Sequence, residues 1–168
     1  MLTLETSQLL LREMTPADVL ALHAVLGDPE NMRWYPHPFS LAEVDAWIAR
    51  QIERYPTGTG LLGVVLKESG ALIGDCGPVW QAADEGQPPE LEIGYHVHRD
   101  HQKRGLATEA ARAVRDYAFA TLGVDHVISL IRPENLPSRR VAEKNGLTID
   151  RTVVWRGYEH CVYRLDRP

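Results

Sequence analysis

The sequence predicts a mixed α/β fold, and three observations carry that reading. Short apolar runs such as LLLRE, LLGVVL and LEIGYHV have strand length and are separated by turn residues. Two longer stretches, SLAEVDAWIARQIERY and GLATEAARAVRDYAFA, repeat apolar residues at helical spacing. The two kinds of segment interleave along 168 residues, a length that suits one domain over 1–168, with no linker to divide it.

Residues 7–13 form the first expected strand. Thr15, Pro16 and Asp18 then mark a helix start, because threonine caps and proline tolerates the first helical position; this helix covers 16–26 and ends at GDPE. RWYPHPF sets two prolines among aromatics, which favours an extended or turning path. Ser40 and Glu43 make a capping box for a second helix, in which Leu41, Val44, Ile48, Ile52 and Tyr55 recur on one face. PTGTG breaks it, and residues 61–66 and 71–79 form a hairpin around KESG.

AADEGQPP reads as an exposed loop, since its proline pair opposes a strand. Residues 90–97 follow as a central strand in which Gly94 permits a bulge or a close backbone approach. A third helix covers 105–121 and stops at Gly123, and a strand covers 125–131. PENLPSR turns into a fourth helix ended by Asn145-Gly146, and residues 147–155 and 160–165 are terminal strands joined by RGYE.

Composition narrows the function. A formal charge of -5, from 18 Lys and Arg against 23 Asp and Glu, offers no general attraction to nucleic acid or an anionic membrane. Cys76 and Cys161 are too few for a disulfide scaffold and too far apart for a zinc ribbon, so a reducing cytoplasm is the expected location. The start, MLTLETSQLLLREMTP, places Glu5, Arg12 and Glu13 around a short apolar run and reads as a strand rather than a signal peptide. No stretch approaches the roughly 20 apolar residues of a bilayer span.

Chemistry concentrates at QKRGLATEAARA, where a loop enters a helix. The first N–H groups of a helix lack intrahelical partners and sit at the positive end of its dipole, so they receive anions. Gly105 removes the Cβ that would hinder a phosphate, and Ala107 stays small. The same glycine also serves a simple tight turn, so this stretch alone leaves the ligand open. GTGLLG at 58–63 has dinucleotide spacing but follows a helix and enters a strand, the reverse of the order such chemistry needs, and no GKS or GKT marks a P-loop. HVHRDH groups three histidines without a nearby fourth ligand, so no metal is expected.

ELEIGYHVHRDHQKRGLATEA resembles the central strand, phosphate loop and following helix of the GCN5-related N-acetyltransferases (GNAT), with Gln102, Gly105 and Ala107 matching their Q/R-x-x-G-x-G/A element. LLLRE and NLPSRRVAEKNGL resemble more narrowly the branch that acetylates ribosomal-protein N-termini, whose relatives also act on small amines. The resemblance implies a mostly antiparallel sheet flanked by helices, with acetyl-CoA in a splay between the parallel strands 90–97 and 125–131. It implies that the N–H groups of Gln102, Lys103, Arg104, Gly105, Leu106, Ala107 and Thr108 hold the pyrophosphate, and that backbone at Tyr95, His96 and Val97 pairs with pantetheine. Asn135 would meet the pantetheine arm, Ser138 the thiol end, and Arg139 or Arg140 the nucleotide phosphates.

The expected reaction is direct transfer of acetyl to a primary amine, on a small molecule or a protein N-terminus. Glu92 is the first general-base residue, with Glu90, a histidine or a water chain as alternatives, and Ser138 can donate to the leaving thiolate. Cys76 has no basic neighbour to activate it, which favours packing over a covalent role. Trp34, Tyr35, Trp80 and Trp155 are expected acceptor walls, and Asp84 and Glu85 an acidic lure for a cationic amine. A different acyl-CoA substrate and an inactive CoA-binding module are the alternatives, and a terminal strand or exposed helix is where a homodimer would form.

Overall fold

The computed structural model describes residues 1–168 and folds them around an eight-stranded sheet. The strands are β1 (Thr3–Glu5), β2 (Leu9–Arg12), β3 (Leu62–Leu66), β4 (Leu72–Gln81), β5 (Glu90–Val97), β6 (His126–Ile131), β7 (Thr148–Trp155) and β8 (Tyr158–Asp166). The helices are α1 (Val19–Leu26), α2 (Leu41–Arg54), α3 (Leu106–Tyr117) and α4 (Leu136–Lys144). Sheet order is β1-β2-β3-β4-β5-β6-β8-β7, antiparallel throughout except between β5 and β6.

The sequence pattern explains most of these elements. Ser40 Oγ accepts from the Glu43 N–H at 3.3 Å while Glu43 returns the bond to the Ser40 N–H at 2.7 Å, so the expected capping box starts α2. The first helix differs: Pro16–Asp18 is a 3-10 turn, and Asp18 accepts from the Thr15 N–H while pairing with Arg12. The strand expected over 7–13 is β2, and an additional strand precedes it, because the chain turns at Thr6–Ser7 and pairs Thr3–Glu5 with β2. The third helix ends as a π-helical turn, Ala118–Leu122, before Gly123 takes a left-handed φ of 68°.

Two apolar layers hold opposite faces of the sheet. Strand alternation sends Leu91, Ile93, Tyr95 and Val97 to one side, where Leu106, Ala110, Ala111 and Val114 of α3 cover them. Met14, Leu22, Val25, Leu26, Val44 and Ile48 pack α1 and α2 on the other side. Each fully buried leucine or isoleucine stabilises the fold by roughly 1.5–3 kcal/mol. A register shift between Val64 and Val65 lets Ile73 join the α3 layer while Leu72 packs with α1 and α2. Gly77 is required where the chain after α2 crosses the sheet, since a Cβ there would lie 2.2 Å from the Gly60 carbonyl oxygen.

Candidate active site

The parallel edge between β5 and β6 closes at one end and opens toward the other. Glu92 registers with Ile128, and Ser129 Oγ donates to the Ile93 carbonyl at 2.9 Å. Beyond that point the two strands have no further register. By alternation Tyr95 directs its N–H and C=O to the same edge as Ile93, as does Val97. The Val97 carbonyl accepts from Gln102 Nε2 at 2.9 Å and Asn31 Nδ2 at 3.1 Å, which ties the following loop to the end of β5.

That loop has the backbone an anion requires. Lys103 and Gly105 take left-handed φ angles of 61° and 78°, and a Cβ built on Gly105 meets nothing within 4 Å. The first intrahelical bond of α3 runs from the Glu109 N–H to the Gly105 carbonyl, so the N–H groups of Gly105, Leu106, Ala107 and Thr108 precede the ladder. The Leu106 side chain turns into the core, 1 % exposed, and leaves only its amide to the loop. A polar cleft of about 340 Å³ adjoins the loop, lined in part by Arg104, Gly105, Thr108, Arg112 and Lys144. Glu109 in its wall stays below the usual carboxylate range: burial pushes it up, but bonds from Thr6, Gln8 and Ser7 outweigh that.

Across the opening stands α4. Asn135 caps it, its Oδ1 accepting from the Ser138 N–H at 3.3 Å, which leaves the side-chain amide nitrogen without a partner in the chain. Tyr95 Oη donates to the Ser138 carbonyl at 2.8 Å and bridges the splay on the α3 side. Ser138 Oγ engages no protein group, unlike its backbone. Arg139 is drawn inward, donating to Tyr163 Oη at 2.8 Å and the Pro133 carbonyl at 2.9 Å, whereas Arg140 is exposed.

The opposite face of β5 carries Glu90, Glu92 and His96. Burial raises the Glu92 pKa, partly opposed by the Gln81 side chain and the Leu130 N–H. His96 sits in a chain of hydrogen bonds: its Nδ1 lies 2.6 Å from Asp75 Oδ1, its Nε2 lies 2.6 Å from Tyr35 Oη, and Asp75 Oδ2 accepts from Trp47 Nε1 at 2.9 Å. Burial lowers the His96 pKa, but the Asp75 and Glu92 charges and the Asp75 hydrogen bond carry it above its ordinary value. Both His96 nitrogens are therefore engaged, and His98 and His101 meet each other edge to face at 6.0 Å instead of joining it. Nothing in HVHRDH itself marked the Asp75 partner; the signal was a lone carboxylate inside the apolar strand LIGDCGPVW, which burial obliges to find a donor.

The remaining expected site residues divide. Tyr35 and Trp155 reach the Glu92 face, Trp155 meeting His160 edge to face at 5.3 Å, and the Trp34 carbonyl accepts from Arg132 at 3.4 Å. Trp80 is 50 % exposed and lies, by alternation, on the face opposite Glu92. Asp84 does not act as a free acidic lure: Arg151 holds it at 2.5 Å and also holds Glu90. Glu90 further meets His126 at 2.9 Å, so its carboxylate is committed to Arg151 and His126, and Glu92 is the less encumbered of the two. Glu85 is exposed on the same loop.

Comparison with known proteins agrees with this arrangement. Residues 8–148 match the family model of the acetyltransferase (GNAT) domain. The chain is 31 % identical over 170 residues to the uncharacterized N-acetyltransferase p20 of Bacillus licheniformis, covering 97 % of this chain and 90 % of that one. The acetyltransferase from Agrobacterium tumefaciens superposes with a TM-score of 0.85 at 30 % identity, over 99 % of this chain and 95 % of that one. RimL, a ribosomal L7/L12 α-N-protein acetyltransferase solved with coenzyme A, shares the fold at a TM-score of 0.79 and 17 % identity, over 98 % of each chain. This chain belongs to the GNAT acetyltransferases, enzymes whose general reaction is acetyl transfer to amines.

Proposed function

We propose that this enzyme transfers acetyl from acetyl-CoA to a primary amine by direct attack while both substrates are bound. The observation that carries the reading is the conjunction of an opened β5/β6 edge with an anion-receptive loop at its end and Glu92 on the adjacent face. Acetyl-CoA supplies the thioester carbonyl. The Gln102 N–H is taken by the Arg99 carbonyl, so the amides of Lys103 to Thr108 suit the diphosphate, with Arg112 and Lys144 flanking; the Val97 carbonyl is taken by Asn31 and Gln102, so the Tyr95 edge and the Val97 N–H suit the amides of pantetheine.

The amine must be neutral to attack, and an α-amine, titrating near roughly 8, reaches that state more readily than lysine near roughly 10.4. Glu92 is the proposed proton acceptor, directly or through water, because a carboxylate raised by burial is a better base than an exposed one. Ser138 Oγ is free to hydrogen-bond the departing sulfur, where negative charge concentrates.

An amine panel with acetyl-CoA, following thiol release and acceptor mass together, tests the proposal. Glu92→Gln is expected to lower kcat at least about 100-fold with coenzyme A affinity retained, within the range that general-base removal produces. Unchanged turnover in Glu92→Gln removes it from the mechanism. Thiol release without a mass gain on any amine points to hydrolysis and defeats the proposal.

A further inference from the structure

The face that holds Glu92 is bordered by cations, although the whole chain carries a net charge of -5. Arg50 lies over the Trp47 ring at 5.5 Å, and Arg156 over the Trp155 ring at 4.3 Å. Trp47 in turn packs on His96 at 6.1 Å, and Tyr35 packs on the same imidazole at 5.4 Å, so α2 reaches the Glu92 side of β5. Arg54 lies one helical turn beyond Arg50, and its Nη1 donates to the buried Gln51 Oε1 at 3.1 Å, which holds the guanidinium in place. Arg156 is near enough to act electrostatically on Glu92, Tyr35 and Arg54, and Arg50 and Arg156 both push on Arg54.

Charge pairing separates this group from the other arginines nearby. Arg33 pairs with Glu30 at 2.7 Å, and Arg132 with Glu134 at 3.7 Å. Arg50, Arg54 and Arg156 form no ion pair with any carboxylate of the chain; Glu53, beside Arg54 in α2, acts on it only at a distance. Arg156 also occupies an unfavourable backbone. It takes a φ of 50° ahead of Gly157 at 84° in the two-residue turn between β7 and β8, where asparagine or glycine is the unstrained choice. A guanidinium on a left-handed backbone, without a carboxylate partner, set over Trp155 and within electrostatic reach of Glu92 and Arg54, is suited to an anion.

We propose that the acceptor is an amine that also carries an anionic group, a carboxylate or phosphate, which Arg156, Arg50 and Arg54 bind while the amine approaches Glu92. This rests on the acetyl-transfer reading and adds the acceptor's second functional group. It departs from the expectation that Asp84 and Glu85 form an acidic lure for a cationic amine, because Asp84 is already paired with Arg151. Guanidinium groups match both oxyanions by bidentate hydrogen bonding, so the test must separate the two sources.

The experiment measures kcat/KM with acetyl-CoA for matched amines. Peptides beginning Ser-Asp are compared with Ser-Asn, O-phosphoethanolamine with ethanolamine, and spermidine and kanamycin serve as cationic acceptors. The anionic member of at least one pair is expected to exceed its neutral partner by tenfold or more, and which pair does so identifies the carboxylate or the phosphate. Arg156→Glu should erase that preference with coenzyme A affinity unchanged. Arg156→Gly, which suits the turn's backbone, should lower the preference without harming the fold.

Equal rates within both pairs, preference for spermidine or kanamycin, or a preference untouched by both Arg156 variants overturns the inference while leaving acetyl transfer standing. Acetylation of no amine at all, with coenzyme A still bound, defeats the acetyl-transfer reading and this inference with it.

Discussion

Replacing Asp75 by asparagine tests whether the His96 chain is an ionic device or mere packing. Asp75 is completely buried, and its two oxygens meet His96 Nδ1 at 2.6 Å and Trp47 Nε1 at 2.9 Å. Asparagine keeps the size and one acceptor, so Trp47 can remain bonded while the charge opposite His96 is lost. Breaking a buried pair by removing one partner costs roughly 3–5 kcal/mol, and the retained bond places Asp75→Asn near the lower end, about 3 kcal/mol at pH 6.

The pH dependence follows from the raised pKa of His96. Its stabilisation is fully present below the unfolded value, roughly 6.5, and is lost as pH rises through the higher folded value. The gap between wild type and Asp75→Asn is therefore widest near pH 6 and narrows toward pH 9. For a chain of this size about 3 kcal/mol corresponds to a Tm drop of roughly 6–12 °C. Thermal and urea unfolding at pH 6, 7.5 and 9 supply the measurement. A gap that is constant with pH, or that widens as pH rises, refutes the ionic account of the chain.

Two further outcomes follow from the geometry. Arg112→Ala and Lys144→Ala should each weaken coenzyme A binding a few-fold, about 1 kcal/mol for an exposed charge pair, with a smaller loss at high salt; calorimetric titration at two ionic strengths checks this, and salt-independent affinity in all three proteins speaks against the cleft as the phosphate end. Gly77→Ala should destabilise the fold by about 3 kcal/mol, because the new methyl meets backbone at Gly60 and Leu61, and Gly70→Ala, where nothing lies within 4 Å, should cost only the left-handed backbone term of roughly 1–2 kcal/mol. Urea denaturation ranks the two, and equal costs contradict the close crossing.

What the sequence made legible is what local chemistry specifies. The capping box of α2, the glycine entry to α3 and the apolar run of β5 each depend on residues within one turn or one strand, and each lies where its pattern predicts. β1 was missed because TLE offers a single apolar residue and gains its strand character only by pairing with β2. The splay was unreadable from the residues alone, since it is a relation between β5 and β6, and entered the reading only through family resemblance. Arg139 and Asp84 looked available because sequence shows charge but not the tertiary partner that takes it, here Tyr163 and Arg151.

The same reasoning explains why cofactor and acceptor differed in legibility. A diphosphate is received by backbone amides, whose presentation needs a glycine and a helix start, and both are written locally in QKRGLATEA. The proposed acceptor site draws on side chains from α2, β5 and the turn before β8, residues as distant in sequence as Arg50, Glu92 and Arg156. Arg156 lies in RGYE, and only the β7–β8 hairpin brings its charge within electrostatic reach of Glu92. If the anion preference proves absent in Arg156→Gly yet turnover of neutral amines persists, specificity and chemistry reside in separable parts: the turn selects the acceptor, and the strand performs the transfer.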